Sequence, residues 1–370
     1  MAEVTLDTKE IPDTATTITT TTTTISAEPQ GTDGDVSAAN LQKDEPVYHR
    51  KYGSRTDAMT IVEGLDLTGK TILITGTTSG IGIETARTLA LKGAHVVMAN
   101  RNIIQSEQLR DKIYAEYPDS DKRNNIDLVH MDLSSLQSVQ AAAKEFISKG
   151  WPLHVLILNA GLISGPTKTT IDGYESTFGV NHLGHFYLTY LLLEKLRENA
   201  PSRVVIVSSN SHNHTRITPQ LPVDQKLNKL IPEPSTTENG YSLYAYSKMC
   251  NVLFAQKLHR EEHKNGINVY VLHPGSMINT NISRGYPVFS KIVSIITKPF
   301  VKTLQQGAAT TVYCAVSPDC ENDSGKYYES CWDDENSLQK PLAHDQEFQD
   351  ALWNKSYEFI KKFEESRPSQ

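Results

Sequence analysis

The chain has 370 residues, a hydrophobic content of 38% and a formal net charge of −7. This length and composition allow a sizeable buried core. The net negative charge gives no sign of the clustered cations with which proteins bind nucleic acid. The four cysteines lack metal-ligand spacing, no apolar run approaches the roughly 20 residues of a membrane span, and the N-terminus lacks a secretory signal. We therefore expect a cytoplasmic protein with no metal site, no nucleic-acid partner and no transmembrane segment.

The first 68 residues are predicted to lie outside the main domain. Residues 1–45 are mostly polar and include a run of threonines from Thr19 to Thr24. Such a segment cannot bury enough apolar area to offset its ordering entropy, so we expect a disordered tail. We assign residues 46–68 to an N-terminal extension and residues 69–365, which show no break in composition, to a single domain.

Six apolar runs in that domain have the length of buried strands, and helix-length segments separate them. Solid apolar runs that alternate with helices are typical of a parallel sheet covered on both faces. We therefore predict an α/β fold with a Rossmann-type doubly wound parallel sheet flanked by helices. The predicted strands are Lys70–Thr75, His95–Asn100, Ile126–Met131, His154–Leu158, Arg203–Val207 and Val269–Leu272.

A glycine-rich turn follows the first predicted strand and leads directly into a helix that Gly93 closes. Gly76 can take a tight turn, Gly80 lets the backbone approach a pyrophosphate, and Gly82 permits close helix packing. The helix N-terminus adds N–H donors. This context predicts a dinucleotide site, with a plain glycine turn as the alternative. The residues assigned to the site are Gly76, Thr78, Ser79, Gly80, Ile81 and Gly82.

Arg101 follows the second predicted strand, where an NAD-type site usually has an acidic residue for the ribose hydroxyls. A guanidinium attracts the 2'-phosphate that a carboxylate would repel. We therefore predict NADP(H) as the preferred cofactor and NAD(H) as the alternative, and an ordinary surface arginine is the other interpretation. Asp132, after the third strand, is placed to bind the adenine edge. Asn159, Ala160 and Gly161 end the fourth strand beside the cofactor crevice.

Tyr244 and Lys248 stand four residues apart, which on a helix places both side chains on one face. A nearby ammonium stabilises a phenolate and lowers the pKa of a tyrosine from its usual value of about 10. The pair is therefore a candidate general acid and base, although a surface tyrosine beside a solvated lysine has the same spacing. Tyr246 is the rival phenol, but it would face away from Lys248 on a helix.

These motifs together resemble the short-chain dehydrogenase/reductase family in their order and spacing. Further segments resemble its subgroup of WW domain-containing and retinol dehydrogenase-like oxidoreductases. These segments are Gly53–Ala58, Val180–Phe186, His273–Gly275 and Gln305–Cys314. The stretch before Gly53 contains no tryptophan, so we expect neither WW domains nor their proline-motif partners there. We also expect no N-terminal membrane anchor of the retinol dehydrogenase type.

The resemblance implies a role for each candidate catalytic residue. Ser209 would hydrogen-bond and orient the substrate oxygen, while Tyr244 would exchange its proton as hydride moves at the nicotinamide. Lys248 would hold the ribose hydroxyls and stabilise the phenolate. Asn181 would anchor a water that extends the proton relay to solvent, or could simply cap a helix bend.

Two further groups of residues belong to the prediction: rivals for the catalytic serine, and cofactor residues after the sixth strand. Ser208 and Ser211 are rivals for the role of the serine, because all three serines lie in one Ser-Ser-Asn-Ser turn. The family contacts the nicotinamide with the segment after the sixth strand. The cofactor residues that we assign in this segment are Pro274, Gly275, Ile278 and Thr280.

Two segments bear on the substrate. Residues 212–240 are a polar insertion, and residues 286–302 mix lysines with apolar residues at helical spacing. We expect the second segment to be a lid over an apolar pocket, which favours a lipophilic carbonyl or alcohol of steroid or retinoid type. A helix packed on the core and an interfacial helix in peripheral contact with a membrane are the alternatives. By analogy with the family we also expect a homodimer or tetramer.

We therefore predict an NADP(H)-dependent oxidoreductase that interconverts an alcohol and a carbonyl, with Tyr244 as acid and base. The threonine-rich tail motivates a second hypothesis, a nucleotide-binding scaffold or signalling protein with little turnover.

Overall fold

The computed structural model describes residues 51–117, 124–163, 168–275 and 302–366. Several sequence predictions fall on other parts of the chain and lie outside the described residues. These are the tail at residues 1–45, the start of the N-terminal extension, the cofactor residues Ile278 and Thr280, and the segment 286–302 apart from its last residue.

An eight-stranded sheet lies at the centre of the described domain. Its strands are β1 (Thr71–Thr75), β2 (His95–Asn100), β3 (Ile126–His130), β4 (Val155–Leu158), β5 (Ser202–Val207), β6 (Ile267–His273), β7 (Tyr327–Glu329) and β8 (Trp332–Asp333). The strand order is β3-β2-β1-β4-β5-β6-β7-β8. Strands β1 to β7 pair in parallel, and β8 is antiparallel to β7. The order reverses between β1 and β4, which is the point where doubly wound sheets bind ligands.

The predicted fold is confirmed, with every one of the six predicted strands present. β1 and β4 are buried along their whole length, as expected for strands covered on both faces. The sequence did not predict β7 and β8. They are too short, and β8 too polar, to stand out as apolar runs.

Helices cover both faces of the sheet. They are α1 (Ala58–Ile61), α2 (Ile81–Leu91), α3 (Ile103–Ala115), α4 (Leu136–Ser148), α5 (Ser176–Phe178), α6 (Gly184–Glu198), α7 (Val223–Leu230), α8 (Gly240–Glu262), α9 (Leu304–Val316), α10 (Lys340–Ala343) and α11 (Gln346–Glu365). A π-helical turn at Gly179–Leu183 joins α5 to α6.

Side chains that alternate along β1 separate the core into two parts. Ile72 and Ile74 contribute to the cluster beneath α2 and α9, while Leu73 contributes to the cluster beneath α4, α6 and α8. This division follows from the two-residue period of a strand. Both parts of the core hold the carboxyl ends of the strands in fixed positions relative to one another.

The polar insertion at residues 212–240 contains α7, which packs against α8 and α11. Lys226 on α7 is buried, and its Nζ lies 2.7 Å from Asp345 Oδ2 next to α11. Leu230 at the end of α7 is also buried in the core. The insertion is therefore anchored to the domain over part of its length.

Two further observations concern the described residues as a whole. The four cysteines are buried and form no disulfide. Within the described ranges, no helix combines the length and the apolar character needed to cross a membrane.

Candidate active site

The glycine turn lies against the end of β4. Gly76 has a φ of 74°, and a Cβ built on it would lie 2.7 Å from Ala160 Cα. A Cβ on Gly82 would overlap the carbonyl of Gly76 and would lie 2.6 Å from Asn159 Nδ2. A side chain at either glycine would push the turn away from β4. The two predicted cofactor segments, the turn and the residues after β4, are thus in direct contact.

Two asparagines fix the shape of this turn. Asn159 Nδ2 donates to the carbonyls of Thr75 and Gly76, at 2.9 and 3.0 Å. Asn100 Oδ1 accepts from the backbone N–H of Thr77 at 2.8 Å, and Asn100 Nδ2 donates to Thr77 Oγ1 at 2.7 Å. Sequence reasoning missed the role of Asn100. The available signal was its place as a polar residue at the carboxyl end of a buried strand.

Arg101 extends into solvent beside Asp132. Its side chain is 69% exposed, and its guanidinium is 4.0 Å from Asp132 Oδ2. The other oxygen of Asp132 accepts from the N–H and the hydroxyl of Ser134, at 2.9 and 2.8 Å. An exposed ion pair of this length contributes little. The donors of Arg101 are therefore free to bind an anion, while Asp132 holds its own loop.

Ser209 and Tyr244 meet at the carboxyl edge of the sheet. Ser209 directly follows Ser208 after β5, Tyr244 lies on α8, and their side chains form a hydrogen bond. Both residues are buried. Burial outweighs the opposing hydrogen bond to Ser209 and raises the pKa of Tyr244 to about 12. The phenol is therefore protonated at neutral pH and can donate a proton.

Lys248 lies one helical turn after Tyr244 and is almost fully buried. Its Nζ donates to the carbonyl of Val207 at 2.9 Å and lies 5.4 Å from the centroid of the Tyr244 ring. Burial lowers the pKa of Lys248 to about 8. The prediction that Lys248 lowers the pKa of Tyr244 is wrong. Burial raises that pKa, and the group that partly offsets the rise is Ser209, not Lys248.

Asn181 lies on the π-helical turn before α6, a type of turn that is frequent at functional sites. Its Oδ1 accepts from Leu162 N at 2.9 Å, and its Nδ2 donates to Leu162 O and to Ser247 Oγ, both at 3.0 Å. A Cβ on Gly161 would lie 3.4 Å from Lys248 Nζ and 3.5 Å from Asn181 Oδ1. Asn181 thus joins the loop after β4 to α8 next to Lys248.

The rival candidates Ser208, Ser211 and Tyr246 have different surroundings from Ser209 and Tyr244. The hydroxyl of Ser208 donates to the carbonyl of Lys248 at 2.8 Å. The hydroxyl of Ser211 is buried without a hydrogen-bond partner in the described part of the chain. The phenol of Tyr246 is directed to Glu238 Oε1, at 3.4 Å. Among these serines, Ser209 is therefore the one whose side chain bonds to Tyr244.

Pro274 and Gly275 directly follow β6 and end the third described range. Together with the glycine turn and the ends of β4 and β5, they lie along one edge of the sheet, because parallel strands all end at the same edge. The structure thus brings the described cofactor and catalytic candidates to a single edge of the sheet. Such an edge is where α/β proteins bind their ligands.

Comparisons with known proteins agree on one family. A family model described as short chain dehydrogenase matches residues 70–218. The WW domain-containing oxidoreductase of Pongo abelii is 41% identical over 86% of this chain and 74% of its own length. Retinol dehydrogenase 12 of Homo sapiens is 37% identical over 80% of this chain and 88% of its own length. A crystal structure of an uncharacterized protein from Mycobacterium paratuberculosis is 27% identical, with a TM-score of 0.58 over 81% of this chain and 97% of the other.

Proposed function

The chain belongs to the short-chain dehydrogenase/reductase family of oxidoreductases, and we propose that it uses NADP(H) to interconvert an alcohol and a carbonyl on a lipophilic substrate. The observation that carries this proposal is the hydrogen bond between Ser209 and Tyr244, which lies beside Lys248 on the same edge of the sheet as the glycine turn. We assign this activity to residues 69–365.

The residues at the glycine turn fit a dinucleotide. The N-cap of α2 is Gly80, so no side chain caps the helix and its first N–H groups are open to a phosphate. Arg101 is exposed at the end of β2 and weakly paired, which suits a 2'-phosphate. We infer from these two features that the chain prefers NADP(H) to NAD(H). When bound, this cofactor gives or accepts the hydride.

The chain's own residues would handle the proton and the substrate oxygen. Tyr244 is protonated at neutral pH, so its hydroxyl can donate to a carbonyl oxygen and give up its proton as that oxygen becomes an alcohol. Ser209 would donate a second hydrogen bond to the same oxygen and orient it. Lys248 holds a positive charge against the Tyr244 ring, and this charge would stabilise the phenolate that forms. Asn181 would anchor the water through which the proton returns.

Two observations support the proposal of a lipophilic substrate. The relative named retinol dehydrogenase 12 is 37% identical to this chain, and the segment 286–302 has apolar residues at helical spacing. We propose a steroid- or retinoid-like carbonyl or alcohol, handled in the cytoplasm by a homodimer or tetramer.

The test is turnover by the purified protein. Oxidation of NADPH is followed with a panel of retinoid and steroid carbonyls and a matched panel of small polar carbonyls, and then with NADH as cofactor. We expect faster turnover of the lipophilic panel, with a preference for NADPH. A preference for small polar carbonyls would contradict the lipophilic substrate. Binding of NADPH without turnover of either panel would instead favour a nucleotide-binding scaffold.

A further inference from the structure

Lys302 is a buried lysine that none of the roles above uses. It is 8% exposed and directly precedes Thr303, the N-cap of α9. No ion pair joins it to a carboxylate of the described ranges. Glu329 affects it electrostatically, but burial has the larger effect and lowers the pKa of Lys302. A buried ammonium without a close counter-charge is costly, so its position points to an anionic ligand.

The side chain of Lys302 lies along the backbone of Gly275. A Cβ built on Gly275 would overlap Lys302 Nζ and would lie 2.8 Å from its Cε. Gly275 also has a φ of 108°, a conformation that favours glycine. The ammonium is therefore held at the start of the segment after β6, on the edge of the sheet that carries the catalytic residues.

The helix that follows Lys302, α9, is hydrogen-bonded to α2. Gln305, in the first turn of α9, donates from its Nε2 to Glu84 in the first turn of α2. Its Oε1 accepts from the backbone N–H of Met59 at 3.2 Å. The start of α9 is thereby fixed beside the N-terminus of α2. Lys302, which contacts Gly275 after β6, is therefore close in sequence to the residue that bonds α9 to α2.

The charges around this position are mostly positive. Burial, together with the charges of Lys302, His212 and Lys248, lowers the pKa of His273, the last residue of β6, to about 3. Both ammonium groups therefore act on the same strand end. Arg55 also acts on Lys302, and Glu329 is the carboxylate that opposes them. An anion placed here would meet a favourable potential.

We propose that Lys302 is a cofactor-binding residue whose ammonium pairs with the diphosphate of the dinucleotide. This inference rests on the proposed function. The diphosphate joins the adenosine half, assigned to the glycine turn and Arg101, to the nicotinamide half, assigned to Tyr244 and Gly275. Lys302 lies against Gly275, and Gln305, three residues later, bonds to Glu84 in the first turn of α2. Lysine is a common phosphate ligand because it acts as a point charge.

The test measures binding of the cofactor, and the KM for a carbonyl substrate is a second readout. Dissociation constants for NADPH and for adenosine 2'-monophosphate, which has the 2'-phosphate but no phosphate at the 5' position, are measured by calorimetry. For Lys302→Gln and Lys302→Met we expect affinity for NADPH to fall about 10- to 100-fold, the range for a charged hydrogen bond. Affinity for adenosine 2'-monophosphate should change by less than about fivefold, as for a charge that acts through solvent. Lys302→Arg should retain most of the affinity for NADPH.

Lys326→Gln is the matched control. Lys326 precedes β7 at the amino edge of the sheet and pairs with Asp323 and Asp333, at 2.9 and 3.0 Å. Its loss should leave both dissociation constants unchanged. Because Met keeps the apolar stem and removes a buried charge, it gives a folded variant if Gln destabilises the domain.

Three outcomes would overturn the assignment of Lys302. The first is an unchanged affinity for NADPH in folded Lys302→Gln and Lys302→Met. The second is an equal loss of affinity for NADPH and for adenosine 2'-monophosphate. The third is a higher KM for the carbonyl alone, which would assign the ammonium to the substrate. If the unsubstituted protein binds neither NADPH nor NADH, the proposed function itself fails.

Discussion

The hydroxyl of Ser208 donates to the backbone carbonyl of Lys248, with 2.8 Å between the oxygens. This hydrogen bond joins the end of β5 to the middle of α8 within the core. It holds the next residue, Ser209, in the position where its side chain meets Tyr244. Ser208 thus supports the position of Ser209, the serine that we propose binds the substrate oxygen.

Substitution of the two serines should separate these roles. Ser209→Ala should lower kcat by about 100-fold or more, as for the loss of a donor to a reacting oxygen, and should lower the free energy of unfolding by about 1 kcal/mol. Ser208→Ala should lower the free energy of unfolding by about 1 kcal/mol, the value of one hydrogen bond, and should lower kcat less. Steady-state kinetics and urea unfolding are the measurements. A larger loss of kcat in Ser208→Ala would reverse the assignment.

Tyr244→Phe should abolish turnover without removing the cofactor site. The substitution deletes the proton donor, and general acid catalysis typically contributes about 10²- to 10⁴-fold. Affinity for NADPH should change little, because the ring and Lys248 remain. Tyr246→Phe is the control, since its phenol is directed to Glu238 and not to Ser209. Stopped-flow oxidation of NADPH and calorimetry measure the two effects, and retained turnover in Tyr244→Phe would reject the mechanism.

Arg101→Asp should shift the cofactor preference from NADPH towards NADH. A carboxylate there would repel the 2'-phosphate and could bind ribose hydroxyls. We expect the dissociation constant for NADPH to rise about 10- to 100-fold and that for NADH to stay the same or fall. Arg110→Asp is the control, because Arg110 pairs with its neighbour Asp111 on α3. An unchanged affinity for NADPH would leave Arg101 as an ordinary surface residue.

Lys248 should make the stability of the domain depend on pH. Burial lowers its pKa from 10.5 to about 8. Between these values the unfolded chain binds more protons than the folded one, so this lysine makes the free energy of unfolding rise with pH in that window. From about pH 8 to about pH 10 the protein should gain about 2 kcal/mol relative to Lys248→Met. Denaturant unfolding of both proteins across this range measures the difference, and parallel pH profiles would contradict it.

Gly82→Ala should destabilise the domain and weaken cofactor binding. The added methyl would overlap the carbonyl of Gly76 and crowd Asn159 Nδ2. Overpacking of this kind typically costs about 1–3 kcal/mol. Gly53→Ala is the matched control, because a Cβ at Gly53 would meet open space. Thermal unfolding and calorimetry with NADPH compare the variants. Equal stability and affinity in Gly82→Ala would show that the turn can move.

Local pattern in the sequence was enough to predict much of this protein. Solid apolar runs and their helix-length separation predicted six strands and the doubly wound fold, because burial on both faces of a parallel sheet imposes that pattern. The glycine turn and the pair Tyr244 and Lys248 were also evident, since each depends on spacing within one element.

Tertiary structure decided what depends on contacts between distant segments. Only the packing of α8 on β5 distinguishes Ser209 from Ser208. Only burial shows that the pKa of Tyr244 is raised although a lysine lies beside it. Lys302 lies against Gly275 because α9 is fixed to α2. Hydrogen bonds and desolvation at such contacts depend on distances in space, and spacing along the chain does not determine them.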